Sequence, residues 1–251
     1  MTTPTAFSLS DSQIEEFFTR GFFCVENVFT RKEIAEMGTA LDRITEMASP
    51  IHATTMHKGA QFVVDGSRID RVVWCGAVEP VLLDYAKDPR LLNPVSQLLG
   101  SQSMQQLICQ FHPKLPGDQV AFDWHQDSQH RAYGTEHWED INGKGSYVQT
   151  LTAIDEITLD NGPVCFVPSP YTMGHLSLDK NDVNSLVDLS KAVPLLMKPG
   201  STAFFGPYVV HGSKPNNSNK KRRVFINGYA YPGANKRDYP GEGSGRILRI
   251  I

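Results

Sequence analysis

The segment Phe122-Asp123-Trp124-His125-Gln126-Asp127 sets an imidazole and a carboxylate two residues apart. On an extended chain residues i and i+2 project to the same side, so His125 and Asp127 can converge on one ion. A histidine from another strand would complete a face of two imidazoles and one carboxylate. Such a face suits octahedral iron, because three positions stay open for other ligands and dioxygen. His211, within Val209-Val210-His211-Gly212-Ser213, is the candidate for the third position. An H-x-D spacing is a weak signal by itself in a chain with 8 histidines. His137-Trp138-Glu139 offers a rival pair and His175 a rival distal histidine, both in polar stretches without a flanking strand signal.

Arg222 follows His211 by eleven residues. In the segment after it, strand alternation places Arg222, Val224, Ile226, Gly228 and Ala230 on one face. Arg223, Phe225, Asn227 and Tyr229 fall on the other. The first face is the inward one, which carries Arg222 with it, although an edge bulge would exchange the two. A buried guanidinium near a metal can grip the far carboxylate of a dicarboxylic co-substrate at two points. Taken alone, Lys220-Lys221-Arg222-Arg223 reads as a solvated turn.

The elements that must position these groups come in two sets. Ser10 to Gln13 forms a capping box before Ile14, Phe17 and Phe18, and Gly21 closes that helix. Phe22 to Val25 reads as a buried strand. Thr30 to Glu33 repeats the cap, and Ile34, Met37, Leu41 and Ile44 predict a helix to about Met47. A third helix is predicted over Pro80 to Leu99, so the first hundred residues read as mainly helical. Short apolar runs follow at Gln105 to Phe111, Tyr147 to Ile154, Pro163 to Val167, Thr202 to Phe205 and Arg223 to Tyr231, broken by Pro, Gly and Asn. Many short strands after a helical lead predict a sandwich or barrel. A polar loop runs from Ser128 to Gly145, and Leu178 to Val193 reads as a weakly helical insertion; long loops of this kind often form lids. No repeat or linker divides the chain, so a single domain, 1-251, is expected.

Composition narrows the function. A formal charge of -3 gives no field that would attract nucleic acid or anionic lipid, so a small-molecule substrate is expected, with no nucleic acid and no membrane. Cys24, Cys75, Cys109 and Cys165 lie far apart in apolar stretches and read as buried free thiols. The N-terminus lacks a basic, then apolar leader, no apolar run approaches about 18 residues, and the C-terminus is no peroxisomal address. A cytoplasmic, reducing setting is expected, which suits ferrous iron.

The chain resembles the phytanoyl-CoA dioxygenase family of iron and 2-oxoglutarate oxygenases, which includes ectoine hydroxylases and natural-product tailoring enzymes. The likeness rests on Gln13-Ile14 through Gly21-Phe22-Phe23, the Lys114-Leu115-Pro116-Gly117 turn before Trp124-His125-Gln126-Asp127, Leu151-Thr152-Ala153-Ile154-Asp155, the turn Asp160-Asn161-Gly162-Pro163, and Pro199-Gly200 leading to His211-Gly212-Ser213. The chain departs at Pro168-Ser169-Pro170-Tyr171, where relatives usually carry Pro-Gly-Ser-His.

The resemblance implies a double-stranded β-helix, a jelly-roll core over about 105-251, with a helical lead over about 1-100 packed on one side. It implies that His125, Asp127 and His211 bind iron(II), that Arg222 pairs with a carboxylate of 2-oxoglutarate and Ser213 hydrogen-bonds it, and that Gln110 and Leu151 line the same pocket. It also implies use of dioxygen and release of succinate and carbon dioxide. Related halogenases replace the motif carboxylate with a small residue to make room for chloride; Asp127 fills that place, so oxygenation, most simply hydroxylation, is expected. A cupin-like iron dioxygenase or isomerase that does not use 2-oxoglutarate is the alternative, and Arg222 would then be structural. Gln129, Tyr133 and Trp138, in the loop after the motif, are candidates to touch substrate, whereas Trp124 reads as packing and His112 as a satisfied strand histidine.

Overall fold

The Ser10 side chain accepts from the Gln13 amide, and the Gln13 side chain accepts from the Ser10 amide, closing a capping box on α1 (Asp11–Arg20). Left-handed Gly21 ends it, and β1 (Phe22–Val25) follows. Thr30 and Glu33 repeat the device at the start of α2 (Arg31–Ala48). In this computed structural model residues 7–178 and 183–250 are described.

Two departures from the sequence reading follow. Residues 53–73, for which no strand was expected, form a meander of β2 (Ala53–His57), β3 (Ala60–Asp65) and β4 (Arg68–Val73). Most of β2 is exposed and β4 carries charges on both faces, so the apolar alternation that marks a strand shows only in β3. The single helix expected over Pro80 to Leu99 is two, α3 (Pro80–Ala86) and α4 (Pro89–Leu99). Asp88 caps α4 by accepting from the Arg90 amide at 2.9 Å, and Pro89 disfavours a helical Asp88 before it.

The remaining elements are β5 (Ser103–Lys114), β6 (Phe122–His125), α5 (Asp127–His130), β7 (Tyr147–Ala153), β8 (Val164–Val167), α6 (Val183–Leu186), β9 (Val193–Pro194), β10 (Thr202–Phe205), β11 (Val210–Ser213), β12 (Arg222–Ala230) and β13 (Arg246–Arg249). Among the described residues they make a large antiparallel sheet, β1-β10-β7-β12-β5-β4-β3-β2 with β13 beside β5, and a smaller one, β6-β11-β8-β9. This is a jelly-roll core with helices on one side.

The large sheet separates two cores. Phe23, Phe111, Phe204, Phe225 and Tyr229 face a cluster with Met37, Leu41 and Leu91 from the helices, while Phe22, Leu151, Phe205, Val224 and Ile226 face the jelly-roll interior. Alternation along β12 therefore turns Arg222 inward and Arg223 outward, as read from sequence. Cys24 is a correction: the alternation of β1 leaves it exposed, and Cys165 is only half-buried. Among the described residues no helix is long and apolar enough to cross a membrane.

Arg223 ties this sheet to α2. It donates to both oxygens of Asp155 at 2.9 and 2.8 Å and to the Gly38 carbonyl at 3.0 Å, with Asp42 2.9 Å away. Replacing Arg223 with Ala is expected to cost about 1–3 kcal/mol of stability, read by urea denaturation, without altering ligand affinity in the interior.

Candidate metal centre

β6 and β11 are antiparallel neighbours, and their register sets His125 directly opposite His211. The two ring centroids lie 4.2 Å apart. Asp127, the first residue of α5, turns to the same side, while Gln126 between them points away. There the Gln126 amide donates to the Gly174 and Tyr208 carbonyls and accepts from the Leu176 amide. One ligand atom from each of His125, Asp127 and His211 lies within 4.8 Å of the others.

Each imidazole is locked from behind. His125 Nδ1 lies 2.7 Å from the Asp123 carbonyl and His211 Nδ1 3.0 Å from that of Val209. A carbonyl only accepts, so both Nδ1 atoms carry the proton and both Nε2 lone pairs face forward, the arrangement metal-binding histidines use. Burial, with the His125 charge next, pushes His211 down to about 4, so its ring is a neutral donor at neutral pH. Burial alone would push the Asp127 carboxyl up, yet His211, Arg131 and His125 hold it below the ordinary range. Asp127 Oδ2 is buried and has no hydrogen-bond partner among the described residues. Two aimed imidazoles and an unsatisfied buried carboxylate oxygen fit a divalent ion of the iron type.

Behind this face lies a cavity of about 520 Å³. Gln110, Leu151 and Ser213 line it, whereas Arg222 and Lys114 are not among its lining residues. Arg222 is 1% exposed and donates through Nε and Nη2 to the Gly162 carbonyl. Its Nη1 makes no hydrogen bond with any described residue. Gly162 has φ +74°, and a Cβ there would meet the Lys214 carbonyl at 2.5 Å, so the turn that presents this carbonyl requires glycine. Directly across from Arg222 in β5 stands Lys114, which sequence reading had assigned to a turn. Its amine is fully buried and donates to Ser213 Oγ at 2.7 Å. Burial, and then the Arg222 charge, push it down to about 6. Alternation was the available signal, since Gln110, His112 and Lys114 share one face of β5.

The other candidates lie elsewhere. Gln129 is used in the loop, donating to the Leu178 carbonyl at 2.9 Å. Tyr133 and Trp138 are buried, stack with centroids 4.7 Å apart, and Tyr133 donates to the Gly145 carbonyl. None of these three lines the cavity. His175 is bonded to Ser128 Oγ at 2.8 Å and is absent from the metal cluster, as are His137 and Glu139. His112 is held by Gln110 Oε1 at 2.8 Å yet does line the cavity. The divergent loop at Pro168 is tied back to α1, with the Ser169 amide bonded to the Arg20 carbonyl and Tyr171 packed on Phe18.

A family model described as phytanoyl-CoA dioxygenase matches residues 17–224. The chain belongs to the phytanoyl-CoA dioxygenase family. Membership makes it a 2-oxoglutarate-dependent non-haem iron dioxygenase. This family member is 25% identical to an ectoine dioxygenase of Bordetella bronchiseptica over 231 residues, covering 83% of this chain and 71% of the relative. It is 33% identical to a methylphosphonate hydroxylase of Gimesia maris over 81 residues, 32% of this chain and 31% of that one. Among solved structures, EctD from S. alaskensis with 2-oxoglutarate and 5-hydroxyectoine superposes with TM-score 0.71 at 21% identity, covering 97% and 86% of the two chains. EvdO2 from Micromonospora carbonacea var. aurantiaca, complexed with 2-oxoglutarate, gives 0.69 at 20% identity, covering 94% and 97%. At these identities the structural likeness speaks for the fold.

Replacing His125, Asp127 or His211 with Ala is expected to abolish iron(II) binding measured by anaerobic equilibrium dialysis, with the circular dichroism spectrum retained. His175→Ala is expected to bind iron(II) as the unmodified protein does. Retention of iron by His211→Ala together with its loss from His175→Ala would place the distal ligand elsewhere.

Proposed function

We propose that the protein hydroxylates a small-molecule metabolite or natural-product intermediate with iron(II), dioxygen and 2-oxoglutarate, releasing succinate and carbon dioxide. His125 Nε2, His211 Nε2 and Asp127 would hold the ion. Bound iron(II) with 2-oxoglutarate supplies dioxygen activation coupled to oxidative decarboxylation. Asp127 occupies the place a halide would need, which favours oxygenation over halogenation.

The observation that carries the reading is the pairing of Arg222 with Lys114. They are cross-strand basic neighbours, both fully buried, and neither has a carboxylate within ion-pair distance among the described residues. Like charges directly opposite destabilise a sheet, and buried cations are normally paired. Burial brings Arg222 down to about 10 and Lys114 to about 6. A carboxylate bound here would relieve both. Ser213, one strand position beyond Gly212 from His211, bonds Lys114 and faces the cavity, so it links this basic end to the metal face. A dicarboxylic 2-oxo acid has a chelating end for the metal and a far carboxylate for these cations. An iron enzyme that does without such a co-substrate leaves the Arg222 guanidinium without a carboxylate and the Lys114 amine with only Ser213 Oγ and the Lys214 carbonyl.

Succinate formation from 2-oxoglutarate that depends on iron(II) and dioxygen tests the reading directly; its absence over a broad substrate screen would overturn it. Arg222→Ala is expected to raise the 2-oxoglutarate requirement on the order of 100-fold, and Arg223→Ala to leave it unaltered.

Lys114 adds a pH signature. Its amine is neutral in the folded protein above about pH 6, so a bound carboxylate recharges it. Co-substrate binding near neutrality is expected to take up about one proton and to tighten as pH falls from 8 toward 6, read by calorimetry in buffers of different ionisation enthalpy. Lys114→Met should remove that uptake. The stability sign runs the other way: the unfolded lysine keeps its ordinary value of 10.5 and binds more protons, so stability of the ligand-free protein rises with pH between 6 and 10.5. Lys114→Met should flatten that rise in pH-dependent melts.

A further inference from the structure

Two arginines, Arg71 and Arg131, line the cavity beside the metal face. Arg71 lies on β4. Its neighbour Val72 opposes Phe111 and packs in the helix-side core, so Arg71 turns to the opposite face, that of His112. It lines the cavity that holds the three metal-ligand candidates. Its side chain makes no hydrogen bond or ion pair with any described residue. The carboxylate next to it in sequence, Asp70, is engaged by Arg68 at 2.9 Å.

Arg131 lines the same cavity and is 7% exposed. Its guanidinium rests 5.1 Å from the Tyr147 ring and 5.2 Å from the Tyr239 ring, and Nη2 donates to the Tyr147 hydroxyl at 3.2 Å. Its Nε is buried without a partner among the described residues. Of the cavity's carboxylates, Asp127 belongs to the metal face and Asp70 to Arg68, which leaves Asp123 exposed at the rim. Of the two arginines in this lining, Arg131 also acts on Asp127, and the more accessible Arg71 is unpaired among the described residues.

We infer that the primary substrate carries an oxyacid anion, a carboxylate, phosphonate, phosphate or sulfate, and that Arg71 anchors it, with Arg131 lining the same cavity. This rests on the co-substrate occupying the Arg222–Lys114 end. Arg71 offers a planar fork that matches such groups at two points, and the cavity falls in the range of about 300–1,000 Å³ usual for small ligands. Holding one end of the substrate at β4 fixes which of its carbons faces the metal ligands, so Arg71 would determine both selectivity and the site of oxidation.

The test uses the whole protein loaded anaerobically with iron(II). 2-Oxoglutarate is titrated in first, by calorimetry, and then methylphosphonate, acetate and methyl sulfate are each added to the saturated complex, with dimethyl sulfone and methylammonium as neutral and cationic controls. At least one anion is expected to bind saturably below about 10 mM, and the controls not at all; which anion binds best identifies the oxyacid. Arg71→Gln should weaken that binding on the order of 30-fold or more, Arg71→Lys clearly less, and both should leave the 2-oxoglutarate titration unchanged. The inference is overturned if no anion binds, if a control binds as well, or if Arg71→Gln leaves anion binding intact. It is also overturned if Arg71→Gln weakens 2-oxoglutarate as Arg222→Ala does, since Arg71 would then be the co-substrate anchor. Failure of 2-oxoglutarate to bind at all sinks the proposed function instead, and the anion titrations on the iron-loaded protein still score Arg71.

Discussion

Residues directly opposite one another in an antiparallel pair lie only about 4.5–5.5 Å apart, and in β6 and β11 those residues are His125 and His211. A slip of β11 by one position would turn His211 to the far face and leave His125 and Asp127 without their third partner. Several contacts pin the register. The Ser128 amide bonds the Pro207 carbonyl at 3.0 Å, Gln126 reaches the Tyr208 carbonyl, and on the other edge of β11 Val210 opposes Val167 inside a small apolar cluster. The short loops that close the jelly roll thus serve the geometry of two rings.

The large sheet divides labour between its faces. On the helix side lie Met37, Leu41, Leu91, Phe111 and Phe225, all fully buried and apolar, with Arg223 paired to Asp155 at the margin. The interior side tolerates Arg222, Lys114 and the unsatisfied Asp127 oxygen, each costly to bury. Both faces bury apolar residues, but only the interior one also carries these costly polar groups. Such a division explains why the helical lead matters to a site to which it contributes no metal ligand.

Much of this was legible in the sequence where the signal is local. Capping boxes at Ser10 and Thr30, the strand Thr202–Phe205 and the H-x-D pair are each set by spacing over a few residues. The inward turn of Arg222 followed from alternation alone. What was missed depends on tertiary partners. β2 to β4 carry few apolar residues in alternation because they lie toward an edge of the sheet, so Arg71 was not placed at the cavity. Lys114 looked like a turn residue until its partner Arg222 was in register with it. Tyr133 and Trp138 sit close to the motif in sequence, but their rings are consumed by packing against each other. No periodicity distinguishes a ring that lines a cavity from one that fills a loop.

Gln126, placed between two metal-ligand candidates, bonds the segment around Gly174 and Leu176 through both ends of its amide, besides Tyr208 and Ser128. The backbone unit that orients His125 and Asp127 is therefore also the tether of that loop, and the order of one is thermodynamically tied to the order of the other. Linkage of this kind is reciprocal. An ion that fixes the two ligands lowers the free energy of the docked loop, and a molecule that settles the loop raises the affinity of the face for its ion by the same factor. Through one side chain, order at the metal face and order in the segment around Gly174 bear on each other from two ends.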